Sequence, residues 1–374
     1  MKKLIIKSIA FILIIAALIL PMSISVDPYN VFHTKAPRDN GIESNKGFIK
    51  TEYIKKNHDK FDSLLFGSSR AGFYDIGYLN EKMGAKFYDM ASSESLVNEE
   101  AKELKVLIKA GFVPKNVLVL VDDISCFVDP KIHENMLYRV PYPDGGFADR
   151  MEFYLKYMDL ITVANSMSVI KDHKAKVEAE LVNGVDNAYD NSTHMSYTDR
   201  FYETGTERLD KESQFDPNEE QYQKGYWVDY YDLRVEEALN DMKELKKLCD
   251  DNGINLIVMT NPLYHLTYEQ DIENGYLIYL RGIADITDYY NFSGFSEVTE
   301  DYHYYYETSH FMPEVTRMMT DAFLASENAS NNHEGISEES VFGCHVTSEN
   351  VDEIISILEE QAIKRGISVY QCLD

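Results

Sequence analysis

Two features of this sequence have residue types and spacing suited to chemistry: a serine within a run of small residues, and a histidine three positions after a carboxylate. Gly67-Ser68-Ser69-Arg70 directly follows the apolar stretch 62–66. A serine at the end of a buried strand projects its hydroxyl from the sheet edge. Its backbone N–H, near the start of the next helix, then faces the negative charge that builds on an attacked carbonyl. Such a serine needs a base and a group that orients the base. Glu307-Thr308-Ser309-His310 supplies both types. On one helical turn or a tight loop Glu307 receives the imidazole N–H, fixes the tautomer and leaves the other nitrogen as base. Each half also has a plainer reading, because Gly-Ser-Ser makes ordinary turns and helix caps and Glu-x-x-His occurs on solvated helices. A carboxylate metal site built on Glu-x-x-His needs a second copy of the motif, and none is present, so neither metal nor cofactor is expected.

The elements that must position these residues emerge from the apolar pattern. Strands are expected at 62–66, 85–90, 117–121 and 254–259, and amphipathic helices at 96–110 and 235–250, stopped by Gly111 and Gly253. Short apolar strands alternating with helices predict an α/β fold, a three-layer doubly wound parallel sheet with ligands at the strand C-termini. From 129 to 231 this regularity fades into Tyr-, Asp- and Asn-rich sequence with short helical stretches such as 150–158. That stretch reads as an insertion, either a substrate cover or decoration. Residues 326–337 read as a linker, and 326–374 as linker plus a small αβ appendage with a helix from about Ser348 to Arg365. The domain proper is thus 26–325. His345 beside Cys344 is packing rather than a metal pair, since two further ligands are missing nearby.

Composition narrows the classes of function. The 374 residues hold 36 basic and 63 acidic side chains, a net charge of −27, so nucleic acid is excluded as a partner held by a general field. Four widely spread cysteines form neither a disulfide framework nor a zinc module. Lys2, Lys3 and Lys7 stand before or within an apolar run that continues to Leu20, a targeting pattern near the lower length limit for a spanning helix. Residues 1–25 are therefore expected to be a signal anchor holding the chain to the cell membrane by one segment. Cleavage near Ser23-Ile24-Ser25 would instead make them a signal peptide and the chain a secreted one. In both cases the body lies outside the cytoplasm.

Taken in order along the chain, these pieces resemble the SGNH/GDSL hydrolase superfamily. The likeness is to its membrane-anchored branch, which includes alginate O-acetylation proteins and the D-alanyl transfer protein of teichoic acid synthesis. It is carried by Val26-Asp27-Pro28-Tyr29, by 64–70 and 117–123, by Asn261-Pro262-Leu263-Tyr264-His265, and by 288–311, and it covers 1–125 and 235–325. The resemblance implies Ser69 as nucleophile and His310 as base, with Glu307 where most relatives carry Asp. Oxyanion donors would be the N–H of Ser69 and, in place of the family's second-block glycine, that of Ala91 or Ser92. The third-block Asn is absent; Asp122-Asp123 stand there, and losing one donor costs about 2.7–4 kcal/mol of transition-state stabilisation. Arg70, Asp123 and His265 are candidate substrate contacts, with a salt bridge as the other reading of Arg70 and a structural role as that of His265. The implied function is an extracytoplasmic serine-dependent O-acyltransferase or esterase on a cell-envelope polymer, fed by a membrane-bound O-acyltransferase. The alternative is a non-catalytic binding or scaffold protein with the same fold.

Overall fold

The computed structural model describes residues 3, 6–8, 17, 19, 21–35, 42–183, 215–223, 225, 233–329 and 341–370. The chain divides into two compact units, Met1–Lys56 with His133–Tyr202, and Asn57–Ile132 with Glu203–Asp374.

In the first unit α1 (Lys46–Asn57) packs with α4 (Phe147–Lys156), Phe48 stacking on Phe153 at 4.5 Å. Asn45 donates to the Val140 carbonyl at 2.8 Å and to the Tyr157 hydroxyl at 2.7 Å. A further helix, α5 (Leu160–Asn183), runs where short helical pieces were expected. The expected N-terminal anchor is not seen, since no helix among the described residues is long and apolar enough to cross a membrane. Much of 1–20 lies outside the described residues, as do 184–214, 224 and 226–231 of the insertion, 330–337 of the linker, and 338–340. Residues 21–26, which include Ser23-Ile24-Ser25, are helical, and Ser23 is buried.

The second unit holds the sheet. Its strands are β1 (Ser63–Gly67), β2 (Phe87–Asp89), β3 (Asn116–Val121), β4 (Asn255–Thr260), β5 (Tyr289–Asn291) and β6 (Cys344–Val346), in the order β2-β1-β3-β4-β5-β6. Pairings through β5 are parallel, whereas β6 pairs antiparallel to β5, so the sheet is mixed rather than wholly parallel. The tail beyond 340 thus contributes an edge strand. Alternation along the strands divides the buried residues between two faces. Leu65, Leu118, Leu120, Ile257 and Met259 belong to one core with α2 (Ile76–Met83) and α9 (Pro313–Ala329). Leu64, Phe66, Val117, Val119 and Val121, at most 1% exposed, point to the other face. The remaining helices form a second packed group: α3 (Val97–Lys109), α6 (Val235–Asn252), α8 (Tyr276–Ala284) and α10 (Val351–Lys364), with α7 (His265–Glu273) against α8. Strand order reverses at β1, where the chain moves outward to β2 and returns to β3. In open α/β sheets the crevice at the carboxyl ends beside such a reversal is where ligands bind.

Candidate active site

Ser69 and Asp122-Asp123 leave the sheet at that reversal, after β1 and β3. Gly67 makes the turn feasible: its φ is +153°, and a Cβ there would lie 2.8 Å from the Ala71 Cβ and 3.1 Å from the Leu120 carbonyl oxygen. Ala71 N–H donates to the Ser68 carbonyl at 3.1 Å, closing a tight turn with Ser69 inside it. The chain then makes a single 3-10 turn, Ala71–Phe73, and α2 begins only at Ile76. The helix start expected beside Ser69 is therefore displaced to Ile76.

Glu307 and His310 occupy a tight loop rather than a helical turn. A bridge between Tyr305 and Phe311 closes it, with Tyr306 N–H donating to the His310 carbonyl at 2.9 Å and Met312 N–H to the Tyr304 carbonyl at 2.8 Å. The loop brings the His310 Nε2 within 2.8 Å of the Ser69 Oγ, while the His310 Nδ1 meets the Glu307 Oε1. An ionised carboxylate only accepts, so Nδ1 carries the proton and Nε2 is left to accept from the Ser69 hydroxyl. Burial pushes the Glu307 carboxyl up, but the bonds from His310 and the Ser309 N–H (2.7 Å) outweigh it and hold the group below its usual range. Ser69 and His310 stay partly exposed, as a reacting pair must. The ring of Phe73 lies 5.4 Å from that of His310 and 5.0 Å from that of Tyr306.

The oxyanion donors inferred from sequence fare differently. Ala91 N–H donates to the Asp89 Oδ1 at 2.7 Å, and Ser92 N–H to the Gly67 carbonyl at 3.1 Å, where it extends the β1–β2 ladder. Both groups are committed within the protein, which corrects their assignment as donors. The Ser69 N–H makes no hydrogen bond among the described residues.

Arg70 and Asp123 also need correction as substrate contacts. The Arg70 side chain is 4% exposed, bonded to Asp122, to the Asp123 Oδ2 (2.7 Å) and to the Ser309 carbonyl (2.7 Å) and hydroxyl (2.9 Å). Burial acts to lower its pKa, but Asp122 and Asp123 raise it further, so the guanidinium stays charged. Asp123 is 1% exposed and also accepts from the Ser125 N–H. His265 opens α7 and its Nδ1 meets the Glu269 Oε1 at 3.3 Å; no bond ties its ring to Ser69 or His310. Three residues near the site carry no sequence signal of their own. Thr267 donates to the Thr308 carbonyl at 2.6 Å, Ser309 receives Arg70, and Asn261 donates to the Asp122 Oδ1 at 3.0 Å. A single Thr on a helix, or a Ser or Asn in a loop, is too common to single out.

The geometry is that of a Ser-His-Glu relay at the carboxyl edge of a mostly parallel sheet. No protein-family model matches the chain, and no curated protein matches it in sequence.

Proposed function

We propose that the chain is a serine-dependent acyl-transfer enzyme, an O-acyltransferase or esterase of the SGNH kind. The observation that supports this most is the relay itself, with Ser69 Oγ 2.8 Å from His310 Nε2 and Glu307 on the far nitrogen. In the reaction His310 takes the Ser69 proton as Oγ attacks the acyl carbonyl. The tetrahedral intermediate collapses, His310 returns the proton to the departing alcohol oxygen, and an acyl-serine remains. A second hydroxyl, from a sugar or water, then gives its proton to His310 as it attacks the acyl carbon, and on collapse the acyl carbon–Oγ bond breaks while His310 returns that proton to the Ser69 Oγ. Glu307 steadies the imidazolium that forms in both halves, and the Ser69 N–H is the donor left for the oxyanion.

The sequence resemblance extends this reading to an acceptor hydroxyl on a cell-envelope polysaccharide or related polymer, with a separate O-acyltransferase as acyl donor. A second reading, a non-catalytic binding protein, is favoured by the internal commitment of the Ala91 and Ser92 N–H groups. Fluorophosphonate labelling separates the two. Wild type is expected to label and Ser69→Ala to lose labelling; an unlabelled, folded wild type that also fails to turn over acetyl esters would favour the binding role.

A further inference from the structure

The resemblance leaves Asp122-Asp123 as a gap where an oxyanion donor belongs. In the structure they have another task. Both carboxylates face the guanidinium of Arg70, which comes directly after the candidate nucleophile in sequence. The fork is filled on two sides: its outer nitrogens meet the two aspartates, while Nε and the same Nη2 that bonds Asp123 reach the Ser309 carbonyl and hydroxyl. Ser309 immediately precedes His310. On the loop's other flank Thr267 Oγ1 holds the Thr308 carbonyl, and Glu307 holds both the Ser309 N–H and the imidazole.

We infer that Arg70 is the positioning residue of the site. Seated on Asp122 and Asp123 at the end of β3, its guanidinium holds the Ser309 carbonyl and hydroxyl and so fixes the loop that presents His310 to Ser69. This rests on the acyl-transfer reading of Ser69 and His310. Three observations converge on it. The interaction is buried, so water does not compete for the fork. It is planar and multiply bonded, which a lysine cannot reproduce. It also joins the segment carrying the hydroxyl to the segment carrying the imidazole, so one side chain spans the two partners of the 2.8 Å contact. Burial and the neighbouring Asp123 push the Asp122 carboxyl above its ordinary value, and Arg70 opposes that rise.

Arg70→Lys tests this, because it keeps a positive charge beside the two aspartates and loses the hold on the Ser309 carbonyl. Ser309→Ala is a milder companion that removes only the hydroxyl contact. Two readouts are taken on folded protein: the fluorophosphonate labelling rate and the downfield proton resonance of the His310 Nδ1–H. Arg70→Lys is expected to label at least tenfold more slowly and to broaden or lose the resonance. Ser309→Ala should label two- to fivefold more slowly, and Ser69→Ala should keep the resonance. Wild-type labelling and an intact resonance in Arg70→Lys would overturn the inference. Should Arg70→Lys not fold, an unchanged labelling rate in Ser309→Ala would overturn it equally. Should wild type show the resonance but no labelling, acyl transfer fails separately, and the positioning role is then decided by whether the resonance survives in Arg70→Lys or, if that variant does not fold, shifts in Ser309→Ala.

Discussion

On the base side of the site, the loop 307–310 is bound at every residue: Glu307 to His310 and the Ser309 N–H, Thr308 to Thr267, and Ser309 to Arg70. On the oxyanion side the N–H groups of Ala91 and Ser92 are turned to Asp89 and Gly67, and Ser69 alone has its N–H unengaged among the described residues. On the proposed acyl-transfer reading, proton transfer is preorganised, whereas stabilisation of charge on the carbonyl oxygen is thin. An enzyme built this way forms its nucleophile readily and lowers the barrier to the tetrahedral intermediate modestly. Slow ester hydrolysis with efficient capture by reactive acyl or phosphoryl probes is the expected signature.

The largest effect expected of this asymmetry lies on the base side. His310→Ala should lower fluorophosphonate labelling by about 10³–10⁴-fold, and Glu307→Gln by about 10²–10³-fold, since the amide permits the wrong tautomer. Rates measured against one probe at fixed pH check both; a Glu307→Gln loss below about threefold would break the claim that this carboxylate orients the ring.

Acid–base linkage sharpens the same contrast through stability. The Glu307 carboxyl is held low, so its stabilising contribution is present above the ordinary carboxylate pKa and is lost as pH falls through its lowered folded value. Glu100, buried in α3, has the opposite sign. Burial raises it to about 8, with Glu99 and Asp122 adding to the rise. Its contribution is therefore intact below the ordinary glutamate pKa and lost as pH rises towards 8. Glu100→Gln should stabilise the protein at pH 7 by about 1–3 kcal/mol and flatten its stability profile between those limits. Denaturant midpoints across that range measure it, and an unchanged slope would show that Glu100 is ionised in the fold.

The smallest effect belongs to the oxyanion side. Ser92→Ala leaves the backbone N–H on Gly67 and should change labelling and ester turnover by less than about threefold. A tenfold loss would reveal a donor role for the Ser92 hydroxyl that the backbone geometry gives no reason to expect.

The strands that frame the site were legible because β1, β3 and β4 are continuous apolar runs ending in small or polar residues, a pattern typical of doubly buried strands. β5 and β6, three residues each, are too short to show a period, and the antiparallel pairing of β6 depends on contacts far along the chain. The helix α5 escaped because its apolar residues are scattered around the axis: Leu160, Ile161, Met167 and Ile170 are exposed in the fold. In the site, side-chain types pointed to Ser69, Glu307 and His310, which the structure brings together. Charge type alone did not separate an arginine that faces ligand from one buried on two aspartates. Backbone N–H groups carry no residue signature, so the commitment of Ala91 and Ser92 became visible only with the β1–β2 ladder in place.

Whether Ser69 carries an acyl group is decided by intact-mass and peptide-mapping measurement after brief exposure to an activated acetyl ester. One acetyl group per chain is expected, mapped to Ser69, absent in Ser69→Ala and strongly reduced in His310→Ala. An unmodified wild type, or equal acetylation of Ser69→Ala, would contradict acyl transfer through this serine.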